Sequence, residues 1–468
     1  MNSPAPAEGR SLPAWFRLLL AVAVCTSVSI SSPTVTGQSR VAAGVGTSIG
    51  KYLNRFDRLA IDPSDIEQRV LRDGRVSIPT VDGVLDVELS PHDLRAPEYH
   101  AEVETDTGRL AVRSALPLTT FRGRVAGWPE TEVRFTVRPD RFEGIILTPQ
   151  EWYFLEPLSN YEPSSPATDA VIYRASDIRP EAVGDCGSSL AERIGKLQEW
   201  TGPQIRAAGG GILAADVATE ADYEYVAALG GADSANSSIL ETLNQVDGIY
   251  QSQLSLSLRV VYQHAWSSSS DPYTSTGAST ILGEFRSYFG SSLGAVDYDL
   301  AHMWTGKDMD GSTVGIAYLG VVCDARSFSF GVSQRISAAP ARYIVTAHEI
   351  GHNFGASHPD QATPAPTDCS NTVMNSSIGT GTNFCPFSRD QIAAHVAGAS
   401  GCLTAPSSGG GCDINRDGQT NVVDVQNLAN VILGALCSGS CDINRDGKVD
   451  VVDLQRLVNV ILGLATCP

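Results

Sequence analysis

Residues 348–358 read HEIGHNFGASH, and this stretch decides the fold of the central part of the chain. On a helix, His348 and His352 project from the same face because they are one turn apart. A glycine at position 355 can adopt the left-handed conformation that ends a helix and turns the chain back. The turn brings His358 towards the first two histidines. Three converging imidazoles with an open fourth position are the ligands of a catalytic zinc, so the spacing predicts one zinc ion on His348, His352 and His358.

Glu349 follows the first of these histidines directly. Its carboxylate can take a proton from a water that attacks a carbonyl and pass that proton to the leaving amine. The alternative is an exposed helix that happens to contain histidines, but three of the chain's eight histidines fall in this one window. The motif therefore predicts an endopeptidase with Glu349 as the general base and proteins or peptides as substrates.

A methionine follows the histidine motif at a short distance. HExxHxxGxxH followed by a Met-turn is the signature of the metzincin zinc proteases, and the chain resembles them at residues 348–358 and in NTVMNSS, residues 371–377. The resemblance implies that Met374 forms an apolar floor beneath the zinc ligands. A methionine that is simply part of the core is the alternative.

The stretch VGIAYLGVVCDARSFSFGVSQ, residues 314–334, resembles the adamalysin (reprolysin) branch of that family. The resemblance implies a strand at the edge of the cleft that pairs with an extended substrate, since main-chain hydrogen bonds can hold any peptide. An interior strand without an open edge is the alternative. The residues of this expected edge strand are Gly315, Ile316, Ala317, Tyr318, Leu319 and Gly320.

Two residues leave the subfamily open. Adamalysins have an aspartate directly after the third histidine, whereas here Pro359 precedes Asp360, which is more similar to serralysins. Serralysins place a tyrosine two residues after the methionine, where this chain has Ser376. We expect a bacterial-type, adamalysin-like enzyme.

Composition and charge restrict the partners. The formal net charge is −19, from 52 acidic and 33 basic side chains, which argues against nucleic acid or an anionic membrane as the main partner. An apolar stretch, residues 18–30, follows Arg10 and Arg17 and predicts a removable secretion signal. A membrane or lipid anchor is the alternative at this position. No other apolar run is long enough to predict a membrane span, so a secreted or cell-surface protein is expected.

The hydrophobic pattern changes along the sequence and predicts a multidomain chain. Short alternating runs indicate a β-rich first domain, and mixed strand-like and helix-like runs indicate an α/β domain with a twisted mixed sheet and an active-site helix. The C-terminus is expected to form a small α domain. The predicted boundaries are 1–38 for the signal, 39–190 for an inhibitory propeptide, 191–211 for a linker and activation region, 212–403 for the protease domain, 404–411 for a second linker and 412–468 for the last domain.

Cys186 stands apart from the other cysteines, in GDCGSS near the end of the β-rich domain. The stretch 142–158 in this domain resembles propeptides of adamalysin-like proteases, and the surroundings of Cys186 resemble their cysteine-switch motif. The resemblance implies that the Cys186 thiolate, a strong zinc ligand, occupies the fourth zinc position and silences the precursor. A free thiol or a further disulfide partner is the alternative. Activation would require a cut between Cys186 and Ile212, where Arg193, Lys196 and Arg206 are candidate sites.

Eight of the ten cysteines lie between residues 323 and 467, and in an exported chain they suggest four disulfides. The metzincin resemblance implies that Cys323 pairs with Cys402 and Cys369 with Cys385. From sequence alone, four cysteines allow three pairings.

The C-terminal segment contains an internal repeat. CDINRDGQTNVVDVQNLANVILG, residues 412–434, returns as CDINRDGKVDVVDLQRLVNVILG, residues 441–463. Each copy begins D-x-N-x-D-G, the alternating oxygen pattern of a calcium loop. The repeat predicts two calcium ions. The expected ligands are Asp413, Asn415, Asp417, Gln419 through its carbonyl, Asn421 and Asp424 for one ion, and Asp442, Asn444, Asp446, Lys448 through its carbonyl, Asp450 and Asp453 for the other.

The duplicated unit of one loop and one helix resembles a type I dockerin. The resemblance implies a cohesin domain of a scaffold or surface protein as the partner, an apolar contact through the valine pairs 422–423 and 451–452, and a bacterial source. In a dockerin the two helices are antiparallel, and with this arrangement we expect the disulfides Cys437–Cys441 and Cys412–Cys467.

Two other interpretations remain. The chain could be a peptide-binding surface or assembly protein that is anchored by the dockerin and has no significant proteolysis. The dockerin could also be an internal stabiliser with no cohesin partner. The retained Glu349 favours the enzyme over a degenerate, binding-only site.

Overall fold

The computed structural model describes most of the chain after residue 35, within the compact unit Pro33–Pro468. The described residues are 36–42, 49–112, 116–179, 183–188, 212–293, 296–323, 326–337, 339–398, 402–403, 412–414, 420–435, 441–444, 448–462 and 464–465. Apart from its last three residues, the predicted signal lies outside these ranges.

The part from residue 36 to residue 188, called the first half below, is rich in strands, as its alternating sequence predicts. Its elements are β1 (Thr36–Ala42), β2 (Arg55–Ala60), α1 (Pro63–Asp73), β3 (Arg75–Thr80), β4 (Gly83–Pro91), β5 (Arg95–Thr105), β6 (Gly108–Ala111), β7 (Thr120–Val125), β8 (Glu132–Arg138), β9 (Arg141–Leu147), β10 (Trp152–Pro157), β11 (Asp169–Arg174) and β12 (Gly184–Cys186).

Nine of these strands form an antiparallel sheet in the order β1-β2-β11-β10-β9-β8-β7-β4-β3. Side chains alternate between the two faces of a strand, and β8 shows the consequence. Val133, Phe135 and Val137 are buried in an apolar core on one face, with α1 packed against this strand. Arg134 and Thr136 therefore project from the opposite face, towards the rest of the molecule.

The part from residue 212 to residue 403, called the second half, contains alternating helices and strands. Its elements are β13 (Leu213–Ala221), α2 (Tyr223–Leu229), α3 (Ala232–Leu254), β14 (Leu256–Trp266), α4 (Ala278–Ser292), β15 (Leu300–Thr305), β16 (Thr313–Ala317), β17 (Phe330–Gln334), α5 (Ala341–Asn353), β18 (Ser377–Ile378) and α6 (Pro386–Gly398).

The second sheet is mixed and runs in the order β18-β12-β16-β17-β15-β13-β14-β5-β6. Its central strands β14, β13, β15 and β17 are parallel, and β16 is antiparallel to β17. The mixed sheet and its helices agree with the predicted α/β class. The predicted boundary at residue 190 does not separate the two sheets, because β5, β6 and β12 of the first half are strands of the second sheet.

Helix α3 lies between the two sheets. It packs against β14 on one side and against β7 and β8 on the other. As a result its middle turns, from Ala235 to Tyr250, are buried almost all the way round, including polar residues such as Asn244 and Asp247. Helix α5, which carries the histidine motif, packs against α3, β16 and β17.

The C-terminal segment contains helices α7 (Val422–Ile432) and α8 (Val451–Ile461), which contact each other. Each begins with a capping box, Asn421 with Asp424 and Asp450 with Asp453. A small separate core includes Leu428 from α7 and Leu457 from α8.

Candidate metal centre

Helix α5 positions the first two histidines. Its apolar residues, among them Ile344, Val345 and Ile350, anchor it in the main core. The helix carries His348 and His352 one turn apart, and both imidazoles are buried. Their Nε2 atoms are 3.0 Å apart.

The third histidine arrives after a sharp turn. Gly355 has a φ of +92°, which is costly for any residue with a Cβ atom, and a Cβ at this position would lie 3.2 Å from Cβ of His395. The turn brings Nε2 of His358 to 3.0 Å from Nε2 of His352 and 3.3 Å from Nε2 of His348.

The hydrogen bonds of the other ring nitrogens fix the tautomers. Nδ1 of His348 lies 2.6 Å from the carbonyl of Val373, and Nδ1 of His352 lies 2.7 Å from the carbonyl of Ala356. A carbonyl only accepts, so both Nδ1 atoms carry the proton and both Nε2 atoms present a lone pair. Nδ1 of His358 lies 3.3 Å from Oε1 of Gln361.

These nitrogen lone pairs face one another, and their mutual repulsion is unfavourable unless a positive charge lies between them. A cation at this point removes the repulsion. Two nitrogen ligands at 2.0–2.1 Å in a tetrahedral zinc site are about 3.3 Å apart, close to the separations found here. The histidines therefore fit a zinc ion. Burial lowers the pKa of His348 to about 3, with a smaller contribution from His358, and burial likewise lowers the pKa of His352 and of His358. Low pKa values keep the imidazoles neutral, as metal ligands must be.

Glu349 is buried beside this centre and faces β16. A Cβ atom at Gly315 would lie 2.3 Å from Oε1 of Glu349. Glycine at 315 therefore leaves the space in which the carboxylate sits between the helix and the strand.

Cys186 completes the group. Its Sγ atom lies 3.4 Å from Nε2 of His352 and 3.7 Å from Oε2 of Glu349. The ligand atoms of Cys186 and the three histidines all lie within 4.8 Å of one another. A sulfur at 2.3 Å and a nitrogen at 2.0–2.1 Å on a tetrahedral zinc are about 3.5 Å apart. Burial, and then the Glu349 carboxylate, raise the pKa of the Cys186 thiol, so a thiolate here needs a neighbouring cation.

Strand β12 carries Cys186 into the space between β16 and β18, which is called the cleft below. It lies between β16, to which it is parallel, and β18, to which it is antiparallel. Main-chain hydrogen bonds hold both sides: Cys186 N donates to Ser376 O at 2.9 Å, and Gly187 N donates to Gly315 O at 2.8 Å. The hydroxyl of Ser188 donates to Ala317 O and accepts from Ala317 N, both at 2.9 Å. Sequence reasoning did not single out Ser188, although it belongs to the GDCGSS motif.

The expected edge strand is shorter than predicted. Strand β16 ends at Ala317, so Gly315, Ile316 and Ala317 are in the strand. Tyr318, Leu319 and Gly320 are not. The chain leaves the sheet here because Gly320 has a φ of +64° and donates from its N–H to the carbonyl of His352 at 2.8 Å.

Met374 is fully buried and packs against α5. A Cβ atom at Gly351 would lie 2.6 Å from its Sδ atom, so the thioether is in close contact with the helix between the two helical ligand candidates. The preceding residue, Val373, supplies the carbonyl that orients His348.

Asp360 has a role that the sequence did not reveal. Its Oδ1 accepts from Ser376 N at 3.0 Å, and its Oδ2 accepts from Ser376 Oγ at 2.5 Å. The carbonyl of Ser376 in turn accepts from Cys186 N. The only sequence signals were Pro359, which precedes Asp360 and departs from the adamalysin pattern, and Ser376, which departs from the serralysin pattern.

Disulfides fix the loops around the centre. Cys323 is bonded to Cys402 and Cys369 to Cys385, which confirms both predicted pairs. Among the described cysteines only Cys186 is free. Cys412 and Cys441 are also disulfide-bonded, and their expected partners, Cys467 and Cys437, lie outside the described residues.

The predicted calcium ligands are only partly described. Asp424 accepts from the N–H groups of Ile414 and Asn421, and Asp453 from those of Asn444 and Asp450. These bonds bring the last acidic residue of each loop to its beginning. Asp413, Asp442 and Lys448 are described, whereas Asn415, Asp417, Gln419 and Asp446 lie outside the described residues.

Among the described helices, none is both long and apolar enough to cross a membrane.

Residues 214–416 match the family Reprolysin_5, Metallo-peptidase family M12. The chain is 48% identical over 69 residues to snake venom metalloproteinase H5 of Deinagkistrodon acutus, which covers 14% of this chain and 17% of that protein. It is 32% identical over 142 residues to the zinc metalloproteinase-disintegrin-like brevilysin H2a of Gloydius brevicauda, covering 30% and 33%. It is 28% identical over 311 residues to the mouse disintegrin and metalloproteinase domain-containing protein 19, covering 63% and 32%.

The chain spans about a third or less of the length of these relatives. The match covers the histidine motif, both confirmed disulfides and the strands that border the cleft. Residues 214–416 are therefore similar to metalloendopeptidase domains of the M12, reprolysin-like type.

Proposed function

We propose that the chain is a secreted, zinc-dependent endopeptidase that is made as a precursor and silenced by its own Cys186. The observation that carries the proposal is the convergence of three Nε2 atoms, 3.0–3.3 Å apart, next to the buried carboxylate of Glu349. The similarity to metalloproteinases supports zinc as the metal and peptide-bond hydrolysis as the reaction.

His348, His352 and His358 would hold the zinc, and Val373, Ala356 and Gln361 would orient their rings. A zinc ion in this site supplies Lewis acidity to the scissile carbonyl and to the attacking water. Glu349 is the general base: its carboxylate removes a proton from the water and then gives that proton to the leaving amine. The space left by Gly315 allows this carboxylate to face the cleft.

The cleft suits an extended main chain. Support comes from strand β12, whose main chain bonds to both β16 and β18. An extended substrate can use the same groups whatever its side chains. On the two walls, the carbonyls of Ser312, Gly315, Ser376 and Ile378 accept from main-chain N–H groups of residues 183–187. The main chain of Ala317 is bonded instead by the hydroxyl of Ser188.

In the precursor, Cys186 would be the fourth zinc ligand and β12 would block the cleft. A closed tetrahedral site is structural in character, because it leaves no position for water or substrate. A cut between Cys186 and Ile212, in the predicted activation region, would let β12 leave. The candidate cut sites Arg193, Lys196 and Arg206 lie outside the described residues.

Residues 412–468 would act as a calcium-dependent dockerin that attaches the enzyme to a cohesin. The repeat supports two calcium ions, and the exposed valines on both helices support an apolar contact: Val422 is 71% exposed and Val451 66% exposed. Retention on an immobilised cohesin should be lost in a calcium chelator. Retention that resists the chelator would remove this part of the proposal.

The test is hydrolysis of denatured casein by the processed protein and by its Glu349→Ala variant, with the zinc content of both measured. Activity in the wild type, lost in the variant while one zinc is retained, would support the enzyme and assign the base. A processed wild type that binds zinc and peptide but hydrolyses nothing would favour the peptide-binding alternative.

A further inference from the structure

Besides β12, the two halves of the molecule are also joined at the edge of the sheet that is most distant from the zinc centre. Strand β5 of the first half pairs in parallel with β14, from Val260↔Arg95 to Trp266↔Glu104, and β6 extends the sheet beyond it. If the first half were absent, β14 would be an open edge, a feature that natural proteins usually protect.

Apolar side chains of both halves form one continuous core. The cluster includes Ile145, Phe154 and Tyr173 from the first half, together with Leu243 and Tyr250 from α3. All five are almost completely buried. Burial of apolar surface is the main source of free energy for association, so this shared core indicates a stable contact.

Charged groups are matched within the contact. Nη2 of Arg134 on β8 lies 2.9 Å from Oδ2 of Asp247 on α3, and both side chains have no exposed surface. A Cβ atom at Gly248 would lie 2.5 Å from Cγ of Arg134, so the helix has a glycine where the arginine crosses it. A buried ion pair contributes little net affinity, but removal of one partner leaves the other charge buried and unpaired, which is costly. The ion pair therefore makes the contact between the two halves specific.

Other polar contacts lie along the same interface. Nδ1 of His92 is 2.9 Å from Oδ1 of Asn244, and Nδ2 of Asn244 donates to the carbonyls of Phe121 and Phe135. Arg342, at the start of α5, lies 2.8 Å from Glu143. Although burial opposes it, Arg141 and Arg342 hold the pKa of Glu143 at about 2.

Strand β12, which carries Cys186, lies apart from this interface. Residues 183–188 are half-buried or exposed and lie at the other end of the second sheet. In the strand order, β17, β15, β13 and β14 separate β16, beside the zinc centre, from β5. The first half can therefore stay attached at β14 and α3 without covering the cleft.

We propose that residues 49–179 remain bound to the second half as a noncovalent subunit after the chain is cut in 189–211, so that only residues 183–188 have to leave the cleft. This inference rests on the proposed function for the cut itself. Apart from Cys25 in the predicted signal, Cys186 is the only cysteine before residue 323. Cys186 is free, so no disulfide joins the described residues of the two parts.

The test uses the full secreted chain with Glu349→Ala, to prevent self-digestion, and with residues 200–205 replaced by the recognition sequence of a site-specific protease. After complete cutting, size-exclusion chromatography and native mass spectrometry should show both parts in one species, at physiological salt and in 1 M salt. Two separate species at physiological salt would overturn the proposal. Because the readout is mass, it does not depend on peptidase activity, and the outcome is independent of the proposed reaction.

A matched pair of variants locates the contact. Arg134→Ala should weaken the association of the cut parts at least tenfold, because it leaves Asp247 buried without its cationic partner. Arg75→Ala removes an exposed pair with Glu88 inside the first sheet and should leave the association unchanged. Equal affinities for the wild type and Arg134→Ala would contradict the assigned interface. If Arg134→Ala does not fold, the wild-type measurement decides.

Discussion

The Sγ atom of Cys186 lies 3.4 Å from Nε2 of His352, although 166 residues separate them in the sequence. This contact joins the two halves of the chain at the zinc centre. It places a sulfur where a fourth ligand would be, and it puts a strand of the first half in the cleft.

Replacement of the thiol should release the uncut precursor from inhibition. In Cys186→Ala the three histidines remain and the fourth position is open, so casein hydrolysis by the uncut chain should rise at least tenfold. The strand still occupies the cleft through its main-chain bonds, so activity should stay below that of the cut enzyme. A variant as silent as the wild-type precursor, with zinc bound, would contradict the switch.

The edge strand should not tolerate a side chain at 315. In Gly315→Ala a Cβ atom would lie 2.3 Å from Oε1 of Glu349, and the carboxylate would have to move. A displacement of about 1 Å in a catalytic group costs roughly 10²-fold in rate, so we expect kcat to fall by about that factor with zinc retained.

The control for this change is Gly283→Ala in α4, where a Cβ atom meets nothing within 4 Å. This variant should keep full activity and gain about 0.5–1 kcal/mol of stability from the better helix former. Similar losses of activity in both glycine variants would show that the effect at 315 is not specific to Glu349.

Sequence patterns predicted the parts of this site that depend on local spacing. A four-residue interval on a helix, a glycine turn and a third histidine are enough to indicate His348, His352 and His358. The pairs Cys323–Cys402 and Cys369–Cys385 followed from family resemblance.

Non-local pairing was beyond the reach of the sequence. The alternating sequence of β5 does not show whether it pairs with β14 or with strands of the first sheet. A two-residue period shows which side chains are buried, but it does not show which strand lies beside them. The early end of β16 depends on a contact between Gly320 and His352 that no local pattern encodes. The pair Asp360–Ser376 likewise required the structure.

Asp360 should act on substrate binding through Ser376. Asp360→Ala removes both bonds that hold Ser376, and the Ser376 carbonyl should then be a less ordered acceptor for the substrate main chain. We expect kcat/KM on a peptide substrate to fall about tenfold, mostly through a higher KM. Asp360→Asn keeps an acceptor for Ser376 N and should recover part of the loss. A fall in zinc content in step with activity would instead indicate a role in metal binding.

Asp222, which lies outside the zinc centre, should make the free energy of unfolding depend on pH. Burial raises the pKa of Asp222 to about 6, against the lowering effect of bonds from Thr305 Oγ1 and from the N–H groups of Gly306 and Tyr225. A carboxyl group whose pKa is higher in the folded state binds its proton more tightly there. Its contribution to stability is therefore complete below about pH 4 and is lost as the pH rises through 6.

The measurement is the free energy of unfolding of the wild type and of Asp222→Asn between pH 4 and pH 7. Asparagine keeps the shape and does not ionise. The difference in favour of the variant should grow by about 2 kcal/mol over this range. A constant difference would mean that Asp222 titrates normally in the folded protein.

The most direct test of the central claim, that Cys186 and three histidines share one zinc in the precursor, is X-ray absorption spectroscopy of the uncut, zinc-loaded chain. The account predicts one zinc per chain with one sulfur neighbour at about 2.3 Å and three nitrogen neighbours at about 2.0–2.1 Å. The sulfur should be absent after cutting and absent in Cys186→Ala. A zinc site in the uncut wild type with only nitrogen and oxygen neighbours would contradict the account.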